Sequence, residues 1–268
     1  MYFPPPDAVG AVDAFWAALA ALLRADLRAD AACAGYDIPD ELSRPNDIHS
    51  QWLQSDLLLS QACGYPLVTM LKYKVQLVGT FAYDATGVQD IYCRSQLICR
   101  TGDSRQTLAE FVGSTLAFND TISQSGYNAL RALVASSTTP RPFFERSIQT
   151  GAHYRSIDAV LNGEADMAAI DPVSLAHWQR SNPERRAQLR VFEQTQPYPG
   201  LPLISSLQTP PTILEAMRKC LYTLAHDAAY AALRAPLLIS GFKVTRWDGY
   251  QTCTAMQEQA FSLGVREL

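Results

Sequence analysis

The feature that most constrains this chain is a rhythm that begins near Ser104 and runs past Pro172. Short apolar runs end in polar turns, and each turn opens an amphipathic stretch. Ser104 is read as the cap of a short helix over 105–112, ended by Gly113. Residues 114–119 read as a strand, and after the polar turn a helix runs to about Val134 with Leu130, Leu133 and Val134 on its core face. Residues 147–150 form a second strand, 153–161 a helix stopped at Asn162-Gly163, and 165–170 a third strand. Pro172 then starts another helix, where its missing N–H costs nothing. Such alternation predicts an α/β fold with mostly parallel sheets covered by helices.

The flanks supply a second body. Residues 11–27 place bulky apolar groups at helical spacing and carry Asp13, Arg24 and Asp26, so they read as an amphipathic helix on a core. A polar linker (35–46) and a helical turn lead to a buried strand over 75–80 and a longer one over 91–100. The proline- and serine-rich stretch 195–211 reads as a return crossover, followed by helices over 212–226 and 228–234, a loop with Trp247-Asp248-Gly249-Tyr250, and a last helix. With 268 residues, 48% of them hydrophobic, the chain can build two lobes of roughly 100–150 residues each. The expected division is 1–100 plus 203–268 for the first lobe and 101–202 for the second.

Charge and cysteine narrow the function. The net charge is −4 with no run of Lys or Arg, which argues against a nucleic-acid partner. No stretch reaches the ~18–20 apolar residues of a membrane span, so no membrane insertion is expected. The start MYFPPPDAV lacks the positive segment of an export signal. None of the six cysteines forms a CxxC pair or has a histidine at zinc-ligand spacing, and they read as buried thiols. No phosphate loop, nucleophile elbow or H-E-x-x-H is present, so no metal and no cofactor are expected.

Four strand-end segments carry the candidate chemistry. In FNDTISQSGYNALR (118–131), Ser123 and Ser125 offer hydroxyls, Gly126 allows close approach, and the first N–H groups of the helix point outward with the positive end of its dipole. This reads either as an anion site or as a Ser-capped helix with no ligand. In TGAHYRS (150–156), His153 opens a helix and can donate to an anion, or it is an ordinary first-turn histidine. Asp171 ends a strand just before Pro172, where it caps the next helix or accepts a proton from a ligand. In LLLSQACGYP (57–66), Ser60 and Gln61 stand where a cleft would be, and Cys63 lacks a neighbouring base.

These pieces, in this order, resemble the phosphate/phosphonate-type substrate-binding proteins of bacterial ABC transporters. The resemblance rests on DLLLSQACGYP, QLVGT, YCRSQLICR, TLAEFVGSTLAFNDTISQSGYNALR, HYRSIDAVLNGEADMAAIDPVSLAHW and QPYPGLPLISS, spanning 56–206. It implies a two-lobed type 2 periplasmic binding protein fold with two hinge crossovers, near 98–102 and 195–202, closing on a small anionic ligand. By that resemblance Ser123, Gln124, Ser125 and Gly126, with Tyr127 adjacent, hold the oxyanion. His153 and Asp171 join from the next turns, and Ser60, Gln61, Tyr92, Ser95 and Tyr198 line the cleft. The implied function is solute binding for an uptake system with an ABC permease partner, the ligand being a phosphonate, phosphate or related ester. The alternatives are an enzyme on the same fold, with pyrimidine- or tetrapyrrole-type chemistry at Cys63, His153 and Asp171, and a cytoplasmic sensor. By the resemblance the family begins with a strand, and this sequence is expected to have it cut away at Met1-Tyr2-Phe3-Pro4. The expected compartment is the periplasm if an upstream leader has been lost, and the cytoplasm as the sequence stands.

Overall fold

The computed structural model describes residues 8–28, 36–137 and 142–268. Met1–Pro4, where the family's first strand is expected to be cut away, and Cys33 lie outside these residues. Helix α1 (Val9–Arg28) buries Val12, Phe15, Trp16, Leu19, Leu23 and Leu27 on one face, the three-and-four spacing read from the sequence. After the short helix α2 (Ile48–Trp52) come β1 (Ser60–Gln61), α3 (Gly64–Val68), β2 (Val75–Tyr83), β3 (Val88–Gln89), β4 (Tyr92–Cys93) and β5 (Gln96–Arg100). The middle of the chain adds β6 (Thr115–Phe118), α4 (Ala129–Ser136), β7 (Arg146–Gln149), α5 (His153–Leu161), β8 (Met167–Ile170), α6 (Pro172–Ser181) and β9 (Leu189–Gln194). The return supplies β10 (Tyr198–Pro199), β11 (Pro202–Ser206), α7 (Pro211–His226), α8 (Ala231–Arg234), β12 (Ile239–Lys243) and α9 (Gln251–Ser262).

The strands form two main sheets, ordered β1-β11-β2-β12 and β7-β6-β8-β5-β9, with a small sheet β10-β4-β3 beside them. Parallel pairing is confined to β7-β6-β8. There β6-α4-β7-α5-β8 winds back across itself, as the sequence rhythm requires. Strand β5 pairs antiparallel with both β8 and β9. In the first sheet every pairing among the described strands is antiparallel. The expectation of mostly parallel sheets is corrected to mixed and antiparallel ones, because β11 and β12, joined by the helices between them, flank β2 and both run against it.

Three further expectations change. The single strand over 91–100 is broken: Tyr92–Cys93 pairs in the small sheet and Gln96–Arg100 in the five-stranded one. Between them the Arg94 N–H turns to the Gly87 carbonyl (2.8 Å) and the Ser95 N–H to Thr195 Oγ1 (3.0 Å), so the ladder cannot continue. The helix expected over 105–112 shrinks to a 3₁₀ turn at Leu108–Phe111 capped by Thr107 and Glu110. Arg105 pairs with Asp103 and, at 2.9 Å, with Asp166, which holds the preceding residues extended. The crossover after 195 contains β10 and β11 rather than loop alone.

Packing follows from these sheets. Helices α1 and α7 cover the first sheet, with Leu19, Leu23, Met217, Leu221 and Leu224 against Val78, Phe81 and Phe242. The second sheet is covered on one side by α4, through Leu130 and Val134, and on the other by α5 and α6, through Ile157, Val160 and Leu175. A separate cluster joins the two bodies: Leu67, Leu71 and Ile204 meet Ala129 and Ala132 of α4 and Tyr250, Cys253 and Met256 of the C-terminal segment. So α9, although it follows the first sheet in sequence, packs on the second body. No helix of the described residues is long and apolar enough to cross a membrane.

Candidate functional site

Strands β6, β7 and β8 end side by side, and their carboxyl ends are followed by the Asn119–Gly126 loop, the Gly151–His153 turn and Asp171. This is where ligands sit in open α/β sheets, at the point where successive crossovers diverge. Ser123 is the N-cap of the loop helix, and its Oγ accepts the N–H of Gly126 at 3.0 Å. The first turn, Gln124–Asn128, is wound as a π-helix before α4 continues regularly. Such turns relax the hydrogen-bond ladder and recur at functional sites.

A buried polar chain crosses the site. The Tyr198 hydroxyl lies 2.8 Å from Ser95 Oγ, which donates to the Ser125 carbonyl at 2.7 Å. Ser125 Oγ in turn lies 2.9 Å from His153 Nε2. Ser95, Ser123, Ser125 and Tyr198 are all buried. Six of the residues named from the sequence, Ser95, Ser123, Ser125, Gly126, His153 and Tyr198, are thus brought together. Asp171 joins them. Its carboxylate caps α6 through the Ser174 N–H at 2.8 Å. Its charge also reaches inward, raising the acid range of the Cys63, Cys93, Tyr83 and Tyr198 protons after the larger effect of burial.

Other named residues are placed differently. Gln61 is buried beside the site and donates through Nε2 to the Tyr83 hydroxyl at 2.9 Å. Ser60, half-buried, lines together with Gln61 a cavity of about 460 Å³ whose walls mix apolar side chains such as Trp16 and Leu42 with charged ones such as Glu41 and Arg44. Tyr92 is 45% exposed, and the alternate residue Cys93 faces inward instead. Tyr127 turns its ring into the core against Phe118, 5.0 Å between centroids, and its hydroxyl accepts the Leu268 N–H. Gln124 spends its side chain on Met256 Sδ and the Asn128 amide, and its N–H on Cys63 Sγ at 3.2 Å.

Cys63 therefore braces the loop. Burial holds its thiol above the ordinary range, hence protonated and poorly nucleophilic at neutral pH. Among the described residues the five cysteines are free and buried.

The sequence reading missed the supports from outside the loop. Asn128 Nδ2 donates to the Cys253 carbonyl at 2.9 Å, and its Oδ1 accepts from Arg131 Nη2 at 2.7 Å, so α9 fixes the loop from behind. Asn119 lies directly over Gly126, close enough that a Cβ there would stand 1.8 Å from Asn119 Oδ1. A lone Asn after a strand carries no signal that would have marked it.

His153 is half-buried as a residue, but its Nδ1 is enclosed and has no hydrogen-bond partner among the described residues. Desolvation pushes its pKa below 6.5, opposed by the attraction of Asp171. Since the folded value lies below the unfolded one, the unfolded chain binds more protons in acid, and this contribution to stability is lost as pH falls from about 6.5 through the folded value. Urea midpoints of the ligand-free protein are expected to fall more steeply between pH 7 and 5 than those of His153→Gln; parallel curves would show that His153 is not the group responsible.

With this geometry in place, comparison with known proteins is decisive. The family of ABC transporter periplasmic substrate-binding proteins for phosphonate matches residues 54–250. The chain belongs to this family. Its members are substrate-binding components of transporters rather than enzymes, and they work with a membrane permease. No curated protein matches the sequence. Among solved structures, the binding-protein component of an ABC phosphonate transporter from Pseudomonas aeruginosa is 16% identical, with a TM-score of 0.68 over 95% of this chain and 83% of that one. A Prochlorococcus marinus protein in complex with methylphosphonate gives 13% and 0.67 over 89% and 90%. A Xanthomonas citri protein bound to ATP gives 15% and 0.68 over 95% and 94%. These likenesses establish the two-lobed type 2 periplasmic binding protein fold.

Proposed function

We propose that this substrate-binding protein grips the oxyanion end of a small phosphonate, phosphate or related ester at the Ser123–Gly126 loop. The observation that carries the reading is the buried chain of neutral donors, Tyr198–Ser95–Ser125–His153, ending at a helix start. Hydroxyl and N–H groups in a desolvated cleft bind an anion through charge-assisted hydrogen bonds without a fixed cation. The likeness to a protein solved with methylphosphonate supports the same ligand class. The lobes we propose follow the sheets, with hinge crossings at residues 94–95 and 195–197, between the small sheet and the five-stranded one. The compartment is the periplasm, as for the family, and osmotic-shock fractionation of the native host tests it.

Calorimetry across methylphosphonate, inorganic phosphate and simple phosphate esters tests the ligand class. Ser125→Ala is expected to weaken whichever member binds by about 1–2 kcal/mol, the scale of one lost hydrogen bond. No heat with any member, from protein shown by circular dichroism to be folded, overturns the oxyanion reading.

A further inference from the structure

Beyond His153 lies a cavity of about 230 Å³. One wall is the segment Asn46, Asp47 and His49. The other is Asn119, Asp120 and His153. Residues 46–49 precede the region matched by the family, so that match assigns them no role.

Three polar atoms around this cavity are buried with no hydrogen-bond partner among the described residues: His49 Nε2, Asn119 Oδ1 and His153 Nδ1. Asn119 as a whole is only 5% exposed. A buried polar atom left unpaired is unfavourable, because it has given up its water without gaining a partner. All three belong to residues that line this cavity, His49 on one wall and Asn119 and His153 on the other, and a polar ligand group entering it would give them a partner. His49 is held in place for that task. Its ring packs on Trp52, 5.1 Å between centroids, and its N–H bonds to the Asp47 carboxylate at 3.0 Å.

The lining chemistry selects the group. No Lys or Arg lines the cavity, and Asp47 and Asp120 do, so a second phosphate is repelled. Imidazole, amide and carboxylate groups together offer both donors and acceptors on short, stiff side chains, which suits hydroxyls because each hydroxyl both donates and accepts. We propose that His49, Asn119 and His153, through its Nδ1, form a second subsite that binds hydroxyl groups on the substituent of a phosphate or phosphonate ligand. This rests on the oxyanion reading above and adds a specificity determinant, His49, to it.

Calorimetry with three esters sharing one head group tests the proposal: methyl phosphate, ethanolamine phosphate and glycerol 3-phosphate, with methylphosphonate and inorganic phosphate as head-group controls. Glycerol 3-phosphate is expected to bind at least about tenfold tighter than methyl phosphate, and His49→Ala to remove most of that gain while changing methyl phosphate less than about twofold. If the alanine variant does not fold, His49→Phe, which keeps a ring against Trp52 and removes both nitrogens, is read in its place. Equal binding of the esters, or an equal loss for both on mutation, overturns the subsite and leaves the oxyanion reading standing. A gain confined to ethanolamine phosphate overturns it in favour of an amine. Binding of methylphosphonate alone overturns it too, and silence from all five probes brings down both readings.

Discussion

Gly126→Ala is expected to cost about 100-fold in affinity for methylphosphonate, or for whichever oxyanion binds best, equivalent to about 2.7 kcal/mol. In an ordinary helix this substitution would be mildly stabilising, by roughly 0.5–1 kcal/mol. Here the added methyl would stand 1.8 Å from Asn119 Oδ1 and 3.2 Å from His153 Cε1. Asn119 cannot simply swing away, since it is buried and its carbonyl is tied to the Gly151 N–H at 2.9 Å. Relief must come from moving the loop or tilting His153 off Ser125, and either breaks the donor chain. Overpacking alone costs typically ~1–3 kcal/mol, so the variant is expected to fold with a lowered melting temperature. Calorimetry paired with thermal melts separates the two effects. An affinity within threefold of wild type would show that the loop does not contact the ligand.

Much of this architecture was legible because the parallel segment writes itself plainly. Strands β6 and β8 are continuous buried runs, Leu116-Ala117-Phe118 and Met167-Ala168-Ala169-Ile170, bounded by polar turns. The loop, His153 and Asp171 were legible because each lies in the polar turn between a strand and the helix that follows it. What could not be read depends on partners far away in sequence. The break in the 91–100 strand is made by Thr195, a hundred residues on. With only two residues in β4, alternation gives no phase, and Tyr92, placed in the cleft by the resemblance, is exposed while Cys93 is buried. Tyr127 sits beside the loop in sequence, but the helix turns it about a third of the way round onto Phe118. The role of α9 as a brace was hidden because Asn128 bonds a backbone carbonyl, and backbone groups have no sequence identity.

The largest loss of stability is expected from Gly79→Ala, in the centre of β2. This strand is flanked by β11 on one side and β12 on the other. A Cβ at residue 79 would stand 2.3 Å from Phe242 Cζ, 2.4 Å from Phe242 Cε2 and 2.6 Å from the Lys243 carbonyl oxygen. The carbonyl is backbone of the paired strand and cannot yield without shifting the register. Phe242 is 2% exposed and packs edge-on against Phe81, 5.7 Å between centroids, so its ring has no free space to enter. The cost is expected to be about 3 kcal/mol or more, the upper end of core overpacking. For a chain of this size that lowers the melting temperature by roughly 2–4 °C per kcal/mol. Gly102→Ala is the control: a Cβ there meets nothing within 4 Å, and its effect should stay within about 0.5 kcal/mol. Adding Phe242→Leu to Gly79→Ala is expected to recover part of the loss, because the smaller side chain relieves the same contact. A double-mutant cycle by urea denaturation measures this coupling, and strict additivity would place the clash elsewhere. Since Gly79 lies in the first sheet and the Ser123–Gly126 loop follows a strand of the second, the folded fraction of the variant should keep its affinity for the oxyanion. That behaviour separates a residue that holds the lobe together from one that touches the ligand.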